Sequence, residues 1–285
     1  MLWAGVYRKE CSGLKIKGIK RICFYALSAA FWVLLWHMAS IIIDKELFLP
    51  TPARVCEALF TELIWRESFR ASIAASLVHI GEGFLLGTLS GILLAVLSHC
   101  IEIVKILLWF PMKVIKSVPV ASFVILSLLW MRSEKLSVFI PFLMVLPILY
   151  INTLTGLEET DEKLLDMATL FKFSFPQKAL HIYIPQILPH ILSACSLAVG
   201  MAWKSGIAAE IIGLAGNSIG NQLYQAKLYL MTPELFAWTI VIVLLSMICE
   251  HCIQGAALLF GNFGNTQNKS QKESDRKELQ NDKTD

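Results

Sequence analysis

The chain has 285 residues, of which 56% are hydrophobic and 16% are charged, and its formal net charge is +3. Soluble domains use roughly 45–50% apolar and about 25% charged residues, so this composition excludes an ordinary soluble domain and favours a chain whose solvent is the bilayer. Lys and Arg cluster at the ends of apolar segments and not on one aromatic-rich face, which argues against a nucleic-acid partner.

Six apolar segments are each long enough to cross a hydrocarbon core of ~30 Å, which takes about 20 helical residues. Helices are favoured because lipid cannot satisfy backbone polar groups, and the segments lack the alternation of a membrane β-barrel. The predicted fold is therefore all-α, a polytopic membrane protein with a six-helix domain. The predicted spans are residues 22–43, 72–98, 106–131 (interrupted by Pro111 and Pro119), 136–154, 188–212 and 232–260.

Charge asymmetry predicts the orientation of these spans. Residues 1–21 carry six basic side chains and one acid. With this basic segment in the cytosol, the cytosolic parts of the chain hold seventeen Lys and Arg and the external parts hold seven. The positive-inside rule then places both termini in the cytosol, and the polar residues 261–285 are predicted to be a disordered tail. A signal peptide is the alternative for the N-terminus, but the 22 apolar residues exceed its usual ~7–15.

Residues 51–70 are predicted to form an amphipathic helix on the outer membrane surface. Thr51 stands at the N-cap position and Pro52 suits the first turn of a helix. Its apolar face consists of Val55, Leu59, Phe60 and Leu63, beside Glu57 and Glu62.

The second predicted span carries a small-residue stripe with a spacing of four. Stripes of this kind let helices approach closely in lipid. We expect Gly83, Gly87 and Gly91 to pack against another helix, in the bundle or at a dimer interface, with pathway lining as the alternative. The stripe consists of Ala71, Ala75, His79, Gly83, Gly87, Gly91 and Ala95.

Four ionisable residues fall inside the predicted spans, where a charge costs on the order of a few kcal/mol and therefore points to function. His79 and Glu82 are three residues apart and could pair. Lys204 and Glu210 are six residues apart, on roughly opposite helix faces. Lys204 has two interpretations: an anion contact in a translocation path, or a structural partner of Glu82 or of a helix carbonyl.

The polar segment between the fourth and fifth spans, residues 155–187, looks built to contact another protein; we call it the 155–187 loop. It is predicted to place a short helix in a groove of a partner. Phe171, Phe173 and Phe175 are aromatic anchors of the kind enriched at interfaces, and Pro176 is predicted to begin a second helix.

Within this loop the chain resembles the EAA loop of permeases of ATP-binding-cassette importers, whose pattern is E-A-A, three residues, G, nine residues, I-x-L-P. Asp166, Met167 and Ala168 fall on E-A-A without a gap. Lys172 falls on the glycine, and residues Ile182 to Pro185 fall on I-x-L-P.

Three further stretches are similar to the nitrate, sulfonate and taurine branch of these permeases. They are F-L-P-T-P at 48–52, G-F-L-L-G-T-L-S-G at 83–91, and A-A-E-I-I-G at 208–213 followed by S-I-G at 218–220. Glu210 falls on the acidic residue of the third motif, near the outer end of its helix. Together these motifs cover roughly residues 48–260.

The resemblance implies a permease subunit in a bacterial plasma membrane, forming the pathway for nitrate, a sulfonate, taurine or a related small solute. It further implies a second permease copy, a homodimer by expectation, and an ATPase subunit docked on the 155–187 loop. A solute-binding protein would deliver the substrate to the outer face. The chain itself would not be an enzyme, and the substrate would be set by the binding protein.

Lys172 departs most from the family pattern. Glycine there would permit a left-handed turn, which lysine adopts only at a cost. We therefore expect the turn to be displaced to residues 174–176, with Lys172 pairing to an acidic residue of the ATPase.

The residues offer little for other classes of function. The chain has no G-x-x-x-x-G-K-[ST] motif for ATP and no Ser–His–Asp or paired-carboxylate arrangement. Cys249 and Cys252 have CxxC spacing without a second pair, and seven cysteines are an odd number, so neither a metal, a cofactor nor a disulfide framework is predicted. A secondary transporter would need inverted repeats and midspan carboxylates, and a membrane-embedded enzyme or assembly factor would need a polar cluster at one interface.

Overall fold

The computed structural model describes residues 18–255 of the chain. The predictions for residues 1–17, for 256–260 of the last span and for the tail 261–285 lie outside the described residues. Within 18–255 the chain forms helices joined by short loops, with no strand. The all-α fold class is therefore confirmed for this part of the chain.

Residues 18–255 form eleven α-helices. Wide π-helical turns follow α2 at Ala58–Leu63 and join α8 to α9 at Ala179–Tyr183. In chain order the helices are α1 Gly18–Ile43, α2 Pro52–Glu57, α3 Glu67–Cys100, α4 Glu102–Ser117, α5 Val120–Ser127, α6 Ser133–Glu158, α7 Glu162–Leu170, α8 Phe175–Lys178, α9 Ile184–Gly213, α10 Ile219–Leu228 and α11 Thr232–Gly255.

Five helical segments among the described residues are long and apolar enough to cross a membrane: α1, α3, α6, the continuous run α8–α9, and α11. The predicted third span, residues 106–131, is instead divided into α4 and α5. Pro119 disfavours a helical conformation for the residue before it, and Val118 is accordingly extended, with φ −83° and ψ 133°. The predicted count of six spanning helices is therefore not confirmed.

The predicted surface helix at residues 51–70 is shorter than expected. Thr51 is its N-cap, since its hydroxyl accepts a hydrogen bond from the Arg54 N–H, and Pro52 begins α2. The wide turn Ala58–Leu63 ends this element, and α3 starts already at Glu67, five residues before the predicted span. The last residues of the predicted surface helix thus belong to the spanning helix α3.

Helix α6 lies at the centre of the bundle, packed between α3 and α9. The α3–α6 contact is close because three glycines of α3 face the α6 backbone. A Cβ added at Gly83 would lie 2.3 Å from Val138 O, and one added at Gly87 would lie 2.9 Å from Phe142 O. A Cβ at Gly91 would lie 2.9 Å from Leu146 O, so no larger residue fits along this contact.

The small-residue stripe follows the buried face of α3 only in its second half. Gly83, Gly87, Gly91 and Ala95 are buried, whereas Ala71 is exposed and Ala75 is half-buried. A spacing of four exceeds the 3.6 residues of a helical turn, so a long stripe of this kind drifts around the helix. In the first half of α3 the buried residues are Ser72, Ser76 and Ile80. The step from Ile80 to Gly83 is three residues instead of four, which brings the glycines onto the same buried face.

The bundle has two ends, which we call the loop end and the opposite end. At the loop end, which carries the 155–187 loop, Lys105 pairs with Glu158, and Tyr150 donates a hydrogen bond to Ser98. Helix α1 begins and α11 ends at this end.

At the opposite end, Arg66 makes a two-nitrogen contact with Glu234 at 3.2 and 3.3 Å, which ties the start of α3 to α11. On α2, hydrogen bonds to Glu46 and Glu57 raise the pKa of Arg54 above its ordinary value.

Candidate functional site

The 155–187 loop contains a compact helical hairpin, α7 and α8, whose first helix is capped at both ends. Asp161 is the N-cap of α7, and its carboxylate accepts a hydrogen bond from the Lys163 N–H at 2.9 Å. The Asp161 N–H donates to Gln186 Oε1 at 3.0 Å, which connects the start of the hairpin to its exit helix α9.

Lys172 ends α7 in the left-handed conformation, with φ +56°. The Phe173 N–H donates to Ala168 O at 2.8 Å and the Lys172 N–H donates to Thr169 O at 3.1 Å, the two bonds of a Schellman motif. The expectation that lysine would displace the turn to residues 174–176 is therefore wrong. The two terminal hydrogen bonds and the short connection to α8 hold Lys172 where a glycine would otherwise be favoured.

Side-chain bonds also fix the second half of the hairpin. Gln177 Oε1 accepts from the Ser174 N–H at 2.8 Å, which caps α8, and Pro176 lies in its first turn, as predicted. Lys178 Nζ donates to the Thr169 hydroxyl at 3.0 Å and joins the two helices. The hairpin is thus a defined structural unit.

The hairpin presents apolar side chains outward. Leu170 is 81% exposed, Phe171 71% and Phe175 76%, and Met167 is also exposed. Phe173 is less exposed because its ring packs edge-on against His181. This patch of large apolar residues is of the kind that marks a protein interface.

The remaining members of the EAA-like pattern lie on both sides of this surface. Asp166 is exposed, whereas Ala168 and Ile182 are buried and Pro185 is half-buried. The pattern thus combines residues available to a partner with residues that seat the hairpin.

The loop is anchored to three spanning helices. Tyr183 packs edge-on against His99 at the end of α3. A Cβ added at Gly156 on α6 would lie 3.0 Å from the ring of His190 on α9, so these two helices are in close contact where the loop leaves and rejoins the bundle. The hairpin is therefore held against the ends of α3, α6 and α9.

A buried polar cluster lies at the opposite end. Glu210 on α9 is fully buried, and its Oε2 accepts from the Ser76 hydroxyl at 2.8 Å and from the Gly220 N–H at 3.1 Å. Ser76 in turn accepts from the Ile219 N–H at 3.0 Å. The carboxyl group therefore sits at the N-terminus of α10. Ser218 is the N-cap of that helix.

His79 and Glu82 do not form the expected pair. Glu82 is exposed, and His79 Nδ1 is buried without a hydrogen-bond partner in the described part of the chain. Residues at i and i+3 share a helix flank, but the α3 flank that carries Glu82 faces away from the bundle.

Lys204 does not bond to Glu82 or to a helix carbonyl in the described residues, so its structural interpretation is not supported. Its side chain is exposed near the middle of α9, while the flanking Trp203 and Ser205 are buried. A lysine at this depth requires a polar surrounding, and residues 18–255 of one copy place no ion-pair partner beside it.

Cys249 and Cys252 are both free thiols on α11. Among residues 18–255, no group of three or more His, Cys, Asp or Glu side chains is placed to hold a metal ion.

Sequence reasoning did not identify the contacts that Ser76 and Gly220 make with Glu210 in the buried cluster. Ser76 is one of several serines in an apolar helix, and its contact with Glu210 spans 134 positions in the sequence. Nothing in the sequence signals that contact. Gly220 belongs to the S-I-G motif, but its role follows from the fold, since a Cβ there would lie 2.3 Å from Glu210 Cβ.

The fold and this site together define a class of protein: a helical membrane subunit that presents a capped, apolar hairpin at one end of its bundle. The chain belongs to the family described as binding-protein-dependent transport system inner membrane component, whose model matches residues 83–260. It is therefore a transporter permease, and the resemblance read from its motifs is confirmed.

Relatives of the chain agree with the predicted branch. The chain is 24% identical to a protein named putative aliphatic sulfonates transport permease protein SsuC of Bacillus subtilis (strain 168), over 88% of this chain and 90% of that one. It is 24% identical to the taurine transport system permease protein TauC of Escherichia coli (strain K12), over 75% of this chain and 80% of the other.

Two solved structures share the fold. One belongs to an amino acid ABC transporter crystallised with histidines, with a TM-score of 0.55 and 18% identity over 68% of this chain and 93% of the other. The second belongs to a bacterial alginate ABC transporter in complex with an alginate-bound periplasmic protein, with a TM-score of 0.56 and 15% identity over 91% of this chain and 98% of the other.

Proposed function

We propose that the chain is the permease subunit of an ATP-binding-cassette importer and that its 155–187 loop docks on a separate ATPase subunit. The observation that carries this proposal is the hairpin itself, with Leu170, Phe171 and Phe175 exposed on a doubly capped helix. Exposing three large apolar side chains to water is unfavourable, and a partner groove would remove that cost.

The pathway would form between two copies of the chain, with a solute-binding protein at the opposite end. The exposed Lys204 supports a second copy, because a midspan ammonium cannot face hydrocarbon cheaply. ATP would be hydrolysed by the partner, and the tight contacts of the loop with α6 and α9 would pass the motion into the bundle.

The proposed location is a bacterial plasma membrane, with the loop end in the cytosol. Helix α1 begins and α11 ends at the loop end, so both termini would also be cytosolic. The proposed solute is nitrate, a sulfonate, taurine or a related small compound, since relatives of this chain carry permease names for those solutes.

Co-purification with the ATPase tests the docking surface, and the chain offers a matched control. Leu170 and Leu228 are each the last residue of a short helix that ends in a left-handed turn, at Lys172 and Leu230 respectively. We expect Leu170→Glu to abolish ATPase binding and Leu228→Glu to leave it unchanged. Equal binding by both variants would refute docking on the hairpin.

Transport assays separate the proposal from a secondary transporter. Proteoliposomes with the permease and its ATPase should take up solute only with ATP. Uptake driven by an ion gradient without the ATPase would establish the secondary transporter instead.

A further inference from the structure

A cavity of about 430 Å³ lies between α4 and α6 near the loop end, outside the hairpin and the buried cluster. Three lysines and one glutamate are among the eleven residues that line it, although only 16% of the residues of the whole chain are charged. Its main lining residues are Lys105, Trp109, Lys113 and Lys116 on α4, with Tyr150 and Glu158 on α6.

The charges of the cavity do not cancel. Lys105 is paired with Glu158, while Lys113 and Lys116 have no acidic partner among residues 18–255. Lys113 Nζ lies 4.0 Å from the centroid of the Trp109 ring, which holds the ammonium at the cavity wall. Two positive charges therefore remain for a ligand.

The apolar and the basic residues of α4 lie on different faces of the helix. Ile103, Leu107 and Phe110 are strongly exposed and fall on one face at spacings of three and four, which suits contact with lipid. Lys105, Trp109, Met112 and Lys116 follow the same spacing on another face and line the cavity. At 100° per residue the two faces are centred more than about 120° apart.

The cavity also extends away from the loop end. Lys116 follows Lys105 by eleven residues, which corresponds to roughly 16 Å along a helix that rises 1.5 Å per residue. A lysine at that depth is tolerated where it lines a polar passage. The lysines therefore extend along α4 from the loop end of the bundle toward its middle.

The remaining polar groups suit an acceptor-only ligand. The Ser117 hydroxyl donates to Lys113 O at 2.8 Å, so the donors left for a ligand are the Thr155 hydroxyl and the ammonium groups of Lys113 and Lys116, which can each donate up to three hydrogen bonds. Sulfonate and nitrate groups offer only acceptor oxygens and carry one negative charge. The donors of the wall and the acceptors of such a ligand are complementary.

We propose that this cavity is an anion vestibule on the exit side of the pathway, where Lys113 and Lys116 bind the oxyanion of the transported solute before it is released. This inference rests on the proposed permease function and assigns the oxyanion shared by nitrate, sulfonates and taurine to a binding site on this chain. The same chemistry would suit the phosphate of an anionic lipid, and a protection experiment separates the two sources.

Thiol labelling of the full-length chain in nanodiscs tests the vestibule. Ser117→Cys is made in a background without the seven native cysteines, which leaves all three lysines in place. An anionic methanethiosulfonate reagent that carries a sulfonate is compared with its cationic trimethylammonium counterpart. Any change in thiol pKa affects both reagents, so the ratio of the two rates reports the local potential.

We expect the anionic reagent to be favoured by about tenfold or more at Ser117→Cys, the lower range for charge-lined clefts. Adding Lys113→Gln and Lys116→Gln should remove this preference, while Lys113→Arg and Lys116→Arg should keep it. Asn217→Cys, on an exposed loop at the opposite end, should show the same ratio with and without the glutamines. Variants are compared only if they elute as a single species of native size.

Two results would overturn the vestibule. One is a ratio at Ser117→Cys that the glutamine substitutions leave unchanged. The other is protection of this cysteine by phosphatidylglycerol but not by millimolar methanesulfonate, which would assign the site to a lipid headgroup. ATPase co-purification is measured on the same samples; if it persists while the anion preference is absent, the vestibule fails and the permease function stands.

Discussion

Ser76 and Glu210 lie 134 positions apart in the sequence and are joined by a buried hydrogen bond of 2.8 Å. The Ser76 hydroxyl donates to the carboxylate and accepts from the Ile219 N–H, so a single side chain links α3, α9 and the start of α10. Three segments that meet at the opposite end are thereby joined by one buried polar cluster.

Removing the acceptor of this cluster should destabilise the chain. Glu210→Ala leaves the Ser76 hydroxyl and the Gly220 N–H buried without their partner, which costs about 1–3 kcal/mol per group. Glu210→Gln keeps one amide oxygen and should lose less. Thermal unfolding in detergent measures both variants, and equal losses for Ala and Gln would contradict this role of the carboxylate oxygen.

The left-handed turn at Lys172 predicts a stabilising substitution. A non-glycine residue in this conformation costs roughly 1 kcal/mol relative to glycine, so Lys172→Gly should raise the melting temperature. Lys172→Val should lower it, since β-branched residues tolerate positive φ least. The opposite order for the two variants would show that the turn is not retained in solution.

The side chain of Lys172 carries a separate prediction about the partner. If it pairs with an acidic residue of the ATPase, Lys172→Glu should weaken complex formation, and Lys172→Gly should weaken it less. ATPase co-purification measures both variants. Wild-type binding and transport by Lys172→Glu would exclude the ion pair.

The α3–α6 contact allows a matched pair of substitutions on one helix. A Cβ at Gly83 would lie 2.3 Å from a backbone oxygen, whereas a Cβ at Gly81 would meet nothing within 4 Å. We therefore expect Gly83→Ala to lower thermal stability by several degrees and Gly81→Ala to be neutral or slightly stabilising. Comparable melting temperatures for both variants would show that the close contact does not form.

We expect the positive charge of Lys204 to be required for transport of an anionic solute. Because its side chain is exposed in a single copy of the chain and unpaired within residues 18–255, Lys204→Met should preserve assembly and lower uptake of an anionic solute. Proteoliposome uptake and complex yield are the two measurements. Preserved uptake by Lys204→Met, with loss of assembly in Lys204→Ala, would make the role structural.

The sequence predicts the positions of the long membrane helices well, because their apolar composition alone identifies them. Long apolar runs locate α1, α3, α6, α9 and α11 because no other element can be this apolar and this long. The break at Pro119 was visible as a proline, but whether a span bends or divides there depends on the packing of Val118 and its neighbours.

The candidate site was only partly accessible from the sequence. The register of residues 166–185 locates the hairpin, because motif spacing survives changes of individual residues. The left-handed Lys172 could not be predicted, since lysine has no preference for that conformation and the two backbone hydrogen bonds that enforce it form only in the folded hairpin. The partners of Glu210 were hidden for the same reason, because Ser76 and Gly220 approach it only in the folded chain.

The glycine contact between α3 and α6 has a mechanical consequence. At Gly83, Gly87 and Gly91 the two backbones approach closely over three successive turns, with no layer of side chains between them. We therefore expect α3 and α6 to move together as one rigid unit. A conformational change of the bundle would then have to occur at connections outside the α3–α6 contact. Among the described residues, the extended link at Val118 and Pro119 between α4 and α5 is one connection where we expect such a change.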